Sequence, residues 1–175
     1  MAEMFENADL EGIDDDDESD SEGDQDAVSL LSADHAEVRQ MFENYKQLVD
    51  EDGDSEERRE LAEQICVALT VHADIEEEIF YPAMRESIDD DLLLDEAEVE
   101  HAAAKDLIAQ IEAMDPDDAL YDAKVLVLGE YVEHHVEEEE TEIFPAAEKS
   151  GVDLDLLGAE LAERKQELMS EVEED

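Results

Sequence analysis

Beyond the first two dozen residues, apolar side chains recur every three or four positions almost without interruption, and no stretch shows the period-two alternation of β-branched residues that a strand requires. The pattern predicts an all-α chain. A first helix, from about Asp26 or Ser29 to Val49, places Leu31, His35, Val38, Phe42 and Tyr45 on one stripe, and the charged run Asp50 to Asp54, with Gly53 inside it, breaks that helix. Asp54 or Ser55 can cap a second helix with the stripe Leu61, Ile65, Leu69, His72, Glu76 and Ile79, which Pro82 kinks or ends. After an acidic turn at Asp89 to Asp91, a third stripe aligns Leu94, Ala97, His101, Ala104, Ile108 and Ile111. Met114-Asp115-Pro116 reads as a stop and restart, with Asp115 as N-cap and Pro116 in the first helical position. The fourth stripe is Val125, Leu128, Val132, His135, Glu139, Ile143 and Ala146, closing near Ser150-Gly151, where Gly can cap the helix.

Four helices of similar length joined by short connections predict an up-down-up-down antiparallel four-helix bundle over residues 27–150, an architecture that builds metal sites from inward side chains of facing helices. Residues 151–175 add an amphipathic helix, from Asp153 to about Val172, through Leu154, Leu157, Leu161 and Leu168. It is expected to pack on the bundle or on a second subunit, which leaves monomer and homodimer both open.

Each stripe is interrupted by one histidine, and two of them by a glutamate as well. The interruptions repeat: His72-x-x-x-Glu76-Glu77 runs to Tyr81-Pro82, and 63 positions later His135-x-x-x-Glu139-Glu140 runs to Phe144-Pro145. Residues four apart share a helix face, so each phrase aims an imidazole and a carboxylate at one point. A lone histidine on an apolar stripe is usually a core residue satisfied by a hydrogen bond. Four of them together with two carboxylates, which are costly to bury without a partner or a cation, indicate a metal site. The candidate ligands are His35, His72, Glu76, His101, His135 and Glu139, a mixed nitrogen and oxygen set that suits iron, manganese or zinc better than calcium or magnesium.

Glu77 and Glu140 lie about 100° off the ligand direction and read as solvated flank, or as acceptors for a ligand histidine's other ring nitrogen. His134 sits on a more polar side than His135 and reads as a rim residue, with Tyr131, one turn before His135, as a candidate donor near the site. Cys66 reads as a small buried hydrophobe.

Composition narrows the setting. The chain has 175 residues, no apolar run near the roughly 20 needed to span a bilayer, no basic-then-apolar leader and a single cysteine, which together point to a soluble cytoplasmic protein. Its 59 acidic and 10 basic residues give a net charge of -49. Phosphate backbones and anionic membranes are therefore poor partners, and no nucleic acid or membrane role is expected. Residues 1–26 hold 13 acids and no Lys or Arg and read as a disordered tail. The remainder is still strongly acidic, which suits either a highly hydrated surface or attraction of cations toward the site. No phosphate-binding loop, zinc-finger spacing or nucleophile elbow is present.

The series His35, His72-x-x-x-Glu76, His101 and His135-x-x-x-Glu139, with its doubled Glu-Glu and aromatic-Pro endings, resembles the hemerythrin-like, or HHE cation-binding, domain over roughly residues 27–150. The resemblance implies a four-helix bundle holding a non-haem di-iron centre of two iron ions, usually with an oxo or hydroxo bridge and with Glu76 and Glu139 as bridging carboxylates. It further implies binding of dioxygen or related small ligands. Oxygen-carrying members place a second histidine one turn after the third-helix ligand, and here that position is Lys105. The missing donor leaves an open position, or admits water, Glu98 or the neutral amine of Lys105. An open position favours reaction with peroxide, dioxygen or nitric oxide, so the expected role is a redox or oxygen sensor or a protective, catalase-like or oxidase protein. The alternatives are iron handling without turnover and a metal-free interaction bundle. A ferritin-like oxidase would need Glu-x-x-His on two helices, and Glu98-x-x-His101 occurs once, with Val132 and Leu69 at the corresponding positions before His135 and His72.

Overall fold

A computed structural model describes residues 25–175, and no strand occurs among the described residues. The acidic stretch read as a disordered tail lies outside them as far as residue 24, and Asp26 at its end caps the first helix. Helix α1 is Ala27–Asp50, with the Asp26 carboxylate accepting from Ser29 N at 2.8 Å. Helix α2, Ser55–Ile75, starts on the Asp54 carboxylate and runs through a π-helical turn, Glu76–Phe80, into α3, Tyr81–Ser87. Helix α4, Asp91–Glu112, is capped by Asp90. Helix α5, Tyr121–Glu138, passes through a second π turn, Glu139–Ile143, into α6, Phe144–Lys149. Helix α7, Leu154–Glu174, begins on Asp153 after Gly151, whose φ of 80° turns the chain as a glycine best can.

Two expectations change. Asp115-Pro116 does not start α5, because the Asp115 side chain accepts from Asp117 N at 3.0 Å and forms a local turn, and the helix begins only at Tyr121. Pro82 and Pro145 follow π turns, whose closing bonds run from Tyr81 N to Glu76 O and from Phe144 N to Glu139 O. Neither proline has an N–H to hold the next turn at α spacing, which makes the five-residue spacing tolerable there.

The bundle packs α1 against α2 and α5, and α4 against α5 and α2, so the four long helices form a closed ring, while α7 lies on α1, α2 and the first π turn. The core is divided in two. One apolar cluster gathers Leu31, Ile75, Phe80, Met84, Leu94, Ile143, Phe144 and Leu161, and the other gathers Val38, Ile65, Leu69, Ile108, Val125, Leu128 and Val132. Between them lies a layer of buried polar side chains: Asp34, His35, His72, Glu76, His101, His135 and Glu139.

Candidate metal centre

The four histidines come from the middles of α1, α4 and the last turns of α2 and α5, and they meet as two pairs. Nε2 of His35 lies 3.1 Å from Nε2 of His72, and Nε2 of His101 lies 3.0 Å from Nε2 of His135. Glu76 and Glu139, the first residues of the two π turns, are both fully buried and each reaches both pairs. Oε1 of Glu76 is 2.6 Å from His72 Nε2 and 3.8 Å from His101 Nε2. Glu139 places Oε1 3.3 Å from His35 Nε2 and Oε2 3.4 Å from His135 Nε2.

Every imidazole is held from behind. Nδ1 of His72 donates to Asp34 at 3.1 Å, His35 to Glu140 at 3.1 Å, His101 to Glu77 at 2.9 Å and His135 to Glu100 at 2.6 Å. A ring whose Nδ1–H is given to a carboxylate presents its Nε2 lone pair forward, the arrangement that metal-bound histidines adopt. Three of these carboxylates carry a cation in turn: Lys165 on Asp34, Arg39 on Glu140 and Lys105 on Glu77.

These contacts obey an approximate two-fold relation between residues 27–87 and 91–149. Asp34 before His35 corresponds to Glu100 before His101, Glu77 corresponds to Glu140, and Arg39 and Lys105 each stand four residues past a ligand histidine. The relation fails at one place that matters. Tyr81 corresponds to Phe144, and the Tyr81 hydroxyl donates to Glu139 Oε2 at 2.7 Å while lying 3.4 Å from the Nε2 atoms of both His101 and His135. Phe144 instead stacks on His35, with ring centroids 5.6 Å apart.

Electrostatics in the layer are strongly coupled. Burial opposes protonation of His72, yet the Glu76 charge and the Asp34 bond outweigh it and hold its pKa well above the ordinary imidazole value. Burial is likewise overcome at His135, by Glu100 and Glu139, and its pKa is pushed up to about 10. His101 goes the other way, lowered by burial and by its neighbour His135. Glu139 stays well below the usual carboxylate range because the neighbouring His135 and His35 imidazoles overcome its burial. Burial and the Glu139 and Glu76 charges keep the Tyr81 phenol protonated.

The residues fit a pair of cations. Among the described residues, both oxygens of Glu76 and Oε1 of Glu139 are buried with no well-formed hydrogen bond, facing histidine Nε2 atoms, and a cation between them would satisfy both. Two nitrogens bound to one ion at about 2.1 Å and at a right angle to each other stand about 3.0 Å apart, which matches both histidine pairs. His35 and His72 with Glu76 and Glu139 could hold one ion, and His101 and His135 with Glu76 a second, with Glu139 Oε2 3.4 Å from His135 Nε2 and the Tyr81 oxygen close by. On the side away from the carboxylates and Tyr81, a cavity of about 40 Å³ touches all four imidazoles and is walled by Val38, Leu69, Ala104, Ile108 and Val132.

The six candidate ligands thus converge. The secondary readings divide between agreement and correction. Of the two readings of Glu77 and Glu140, the acceptor role holds, for His101 and His35, because the neighbouring helix brings an imidazole to each. Glu98 cannot replace the absent fifth histidine, since it turns outward to Arg85 at 3.0 Å. Lys105 cannot serve as a neutral amine, because Glu77 and Asp74 hold its ammonium at 2.8 and 3.0 Å and, against the effect of burial, raise its pKa. Tyr131 is half exposed and reaches only the edge of the cavity. His134 is exposed on the rim, 3.6 Å from both Glu100 and Glu138. Asp34, Glu100 and Tyr81 were missed by sequence reasoning; an acid directly before a ligand histidine in both halves was the available signal for the first two.

Comparison with known proteins agrees with this geometry. A 31% identical relative from Nostoc sp., named a DNA nickase, aligns over 126 residues, 70% of this chain and 34% of the relative, so the chain spans about a third of that protein's length. The crystal structure of a hemerythrin HHE cation binding domain-containing protein from Mycobacterium kansasii, an Rv2633c homolog, superposes with a TM-score of 0.70 at 21% identity, covering 84% of this chain and 89% of that one, a likeness of fold. The description "Hemerythrin HHE cation binding domain" matches residues 26–147. The chain belongs to the hemerythrin HHE cation-binding family.

Proposed function

We propose that this chain is a cytoplasmic non-haem di-iron protein that binds dioxygen, peroxide or nitric oxide, serving as a redox sensor or as a protective consumer of peroxide. The observation that carries the reading is the pair of histidine couples spanned by two buried carboxylates, of whose four oxygens only Glu139 Oε2, facing Tyr81, accepts a hydrogen bond among the described residues. When bound, two iron ions supply electron transfer and open coordination that side chains lack. The chain's own residues do the rest. Asp34, Glu140, Glu77 and Glu100 orient the imidazoles, and Tyr81 keeps a proton on its hydroxyl against Glu139. The apolar cavity limits what can approach, since roughly 10–15 Å³ is needed for one water and the cavity offers about 40 Å³, room for a molecule of two or three heavy atoms.

Manganese and zinc suit the same donors and remain part of the test. The nickase activity named for the Nostoc relative does not transfer well to this chain, because a net charge of -49 repels a DNA backbone. Anaerobic loading with ferrous iron, desalting and metal analysis should find two irons per chain, with a new near-ultraviolet to visible band on admitting air. Steady consumption of added peroxide then marks an enzyme, and a stoichiometric optical change without turnover marks a sensor or an iron-handling protein. Failure to retain iron, with manganese or zinc retained instead, would refute the di-iron assignment.

A further inference from the structure

Of the four carboxylates behind the imidazoles, Glu140 and Glu77 take their cations from symmetry-related positions of the bundle, Arg39 and Lys105. Among the described residues no Lys or Arg pairs with Glu100, and the exposed His134 stands 3.6 Å from it. Asp34 differs from all three: its cation, Lys165, comes from α7, beyond the residues 26–147 that the family description covers. Asp34 is itself buried, with Oδ2 accepting from His72 at 3.1 Å and Oδ1 accepting from Lys165 at 2.7 Å. Helix α7 is tied to the layer a second time, by Arg164 to Glu78 at 2.7 Å, within the π turn that begins at Glu76. Its Leu157 and Leu161 are buried in the same apolar cluster as Phe80 and Phe144.

We propose that α7 belongs to the metal centre, with Lys165 positioning His72 through Asp34, so that docking of α7 and cation binding at the His35/His72 pair reinforce one another. The inference rests on the metal-centre reading above. A buried carboxylate keeps its place when both oxygens are engaged, and removing the ammonium frees Asp34 to turn toward solvent. The His72 ring then loses the acceptor that fixes its rotation. Coulomb's law alone gives the opposite sign, since removing a positive charge near a cation site strengthens cation binding. By reciprocity, whatever α7 docking adds to cation affinity, the cation adds to α7 docking.

The test uses the full chain with zinc as probe, titrated against a competing chelator, alongside amide hydrogen exchange over residues 154–174 followed by mass spectrometry. In Lys165→Met, one of the two zinc equivalents should weaken by about 10- to 100-fold, the range for losing an outer hydrogen-bond partner, while Lys165→Arg restores it. Zinc should slow exchange in α7 of the unaltered chain and fail to do so in Lys165→Met. Unchanged or tighter zinc binding by Lys165→Met overturns the proposal, as does α7 exchange that is identical with and without zinc. The exchange comparison on the unaltered chain needs no variant, so it decides the matter even where Lys165→Met does not fold. If the unaltered chain binds no zinc and no iron, the metal-centre reading falls and takes this one with it. Two equivalents bound with indifference to Lys165 sink this one alone.

Discussion

Tyr81→Phe removes one oxygen from the layer and leaves the ring in place among Phe80 and Met84, so it opens no cavity. The lost oxygen donates to Glu139 Oε2 at 2.7 Å, and that carboxylate is fully buried, with no hydrogen bond to its other oxygen. A hydrogen bond to a buried charge is worth about 1.5–3 kcal/mol, and Glu139 cannot recover it from water. For a chain of this length each kcal/mol moves the melting temperature by about 2–4 °C, so the variant should melt about 3–12 °C lower when both proteins are held in excess chelator. Differential scanning calorimetry at pH 7 provides the measurement. Repeated with zinc-loaded protein, the difference should shrink, because a bound cation then holds the Glu139 oxygens. A variant that melts within a degree of the parent in chelator would refute the assignment of the phenol as the donor that keeps Glu139 in place.

Four further outcomes are expected. His72 and His135 bind protons more tightly folded than unfolded, so zinc uptake at pH 7.5 should release about two protons, read by electrode in weakly buffered solution. The same shifts fix the pH dependence in chelator: both pKa values are raised on folding, so their stabilisation is complete below about pH 6.5 and is lost as pH rises toward about 10 for His135, lowering the melting temperature between pH 6 and 9. Gly158→Ala should destabilise by about 1–3 kcal/mol in urea unfolding, because an added Cβ would stand 2.2 Å from the Gln25 carbonyl oxygen and 2.8 Å from Ala27 N. Burial raises the Cys66 thiol to about 12, so alkylation at pH 8 should be negligible in the native chain and rapid in denaturant.

Helical periodicity carried most of this structure, because each stripe had to bury one face and a ligand on the stripe was carried inward with it. The six residues that converge at the candidate centre were legible for that reason. Asp34, Glu100 and the choice of histidine served by Glu77 and Glu140 were not, since each serves a histidine on a different helix, and which helices adjoin is a property of packing rather than of local spacing. Tyr81 was hidden by geometry: at 3.6 residues per turn it stands about 140° from Glu76, whereas the π turn, closed by Tyr81 N on Glu76 O, stacks it almost above that residue. Lys105 looked like a lost ligand in sequence and is the counterpart of Arg39 in space.

The approximate two-fold relation has a mechanical consequence. Residues 27–87 supply one complete histidine pair and residues 91–149 the other, while each half extends one glutamate across to its neighbour's pair. The molecule is in effect a dimer written on a single chain, and its metal centre is the rivet through the seam. Stripping the ions should loosen the join between the halves ahead of the fold within either one.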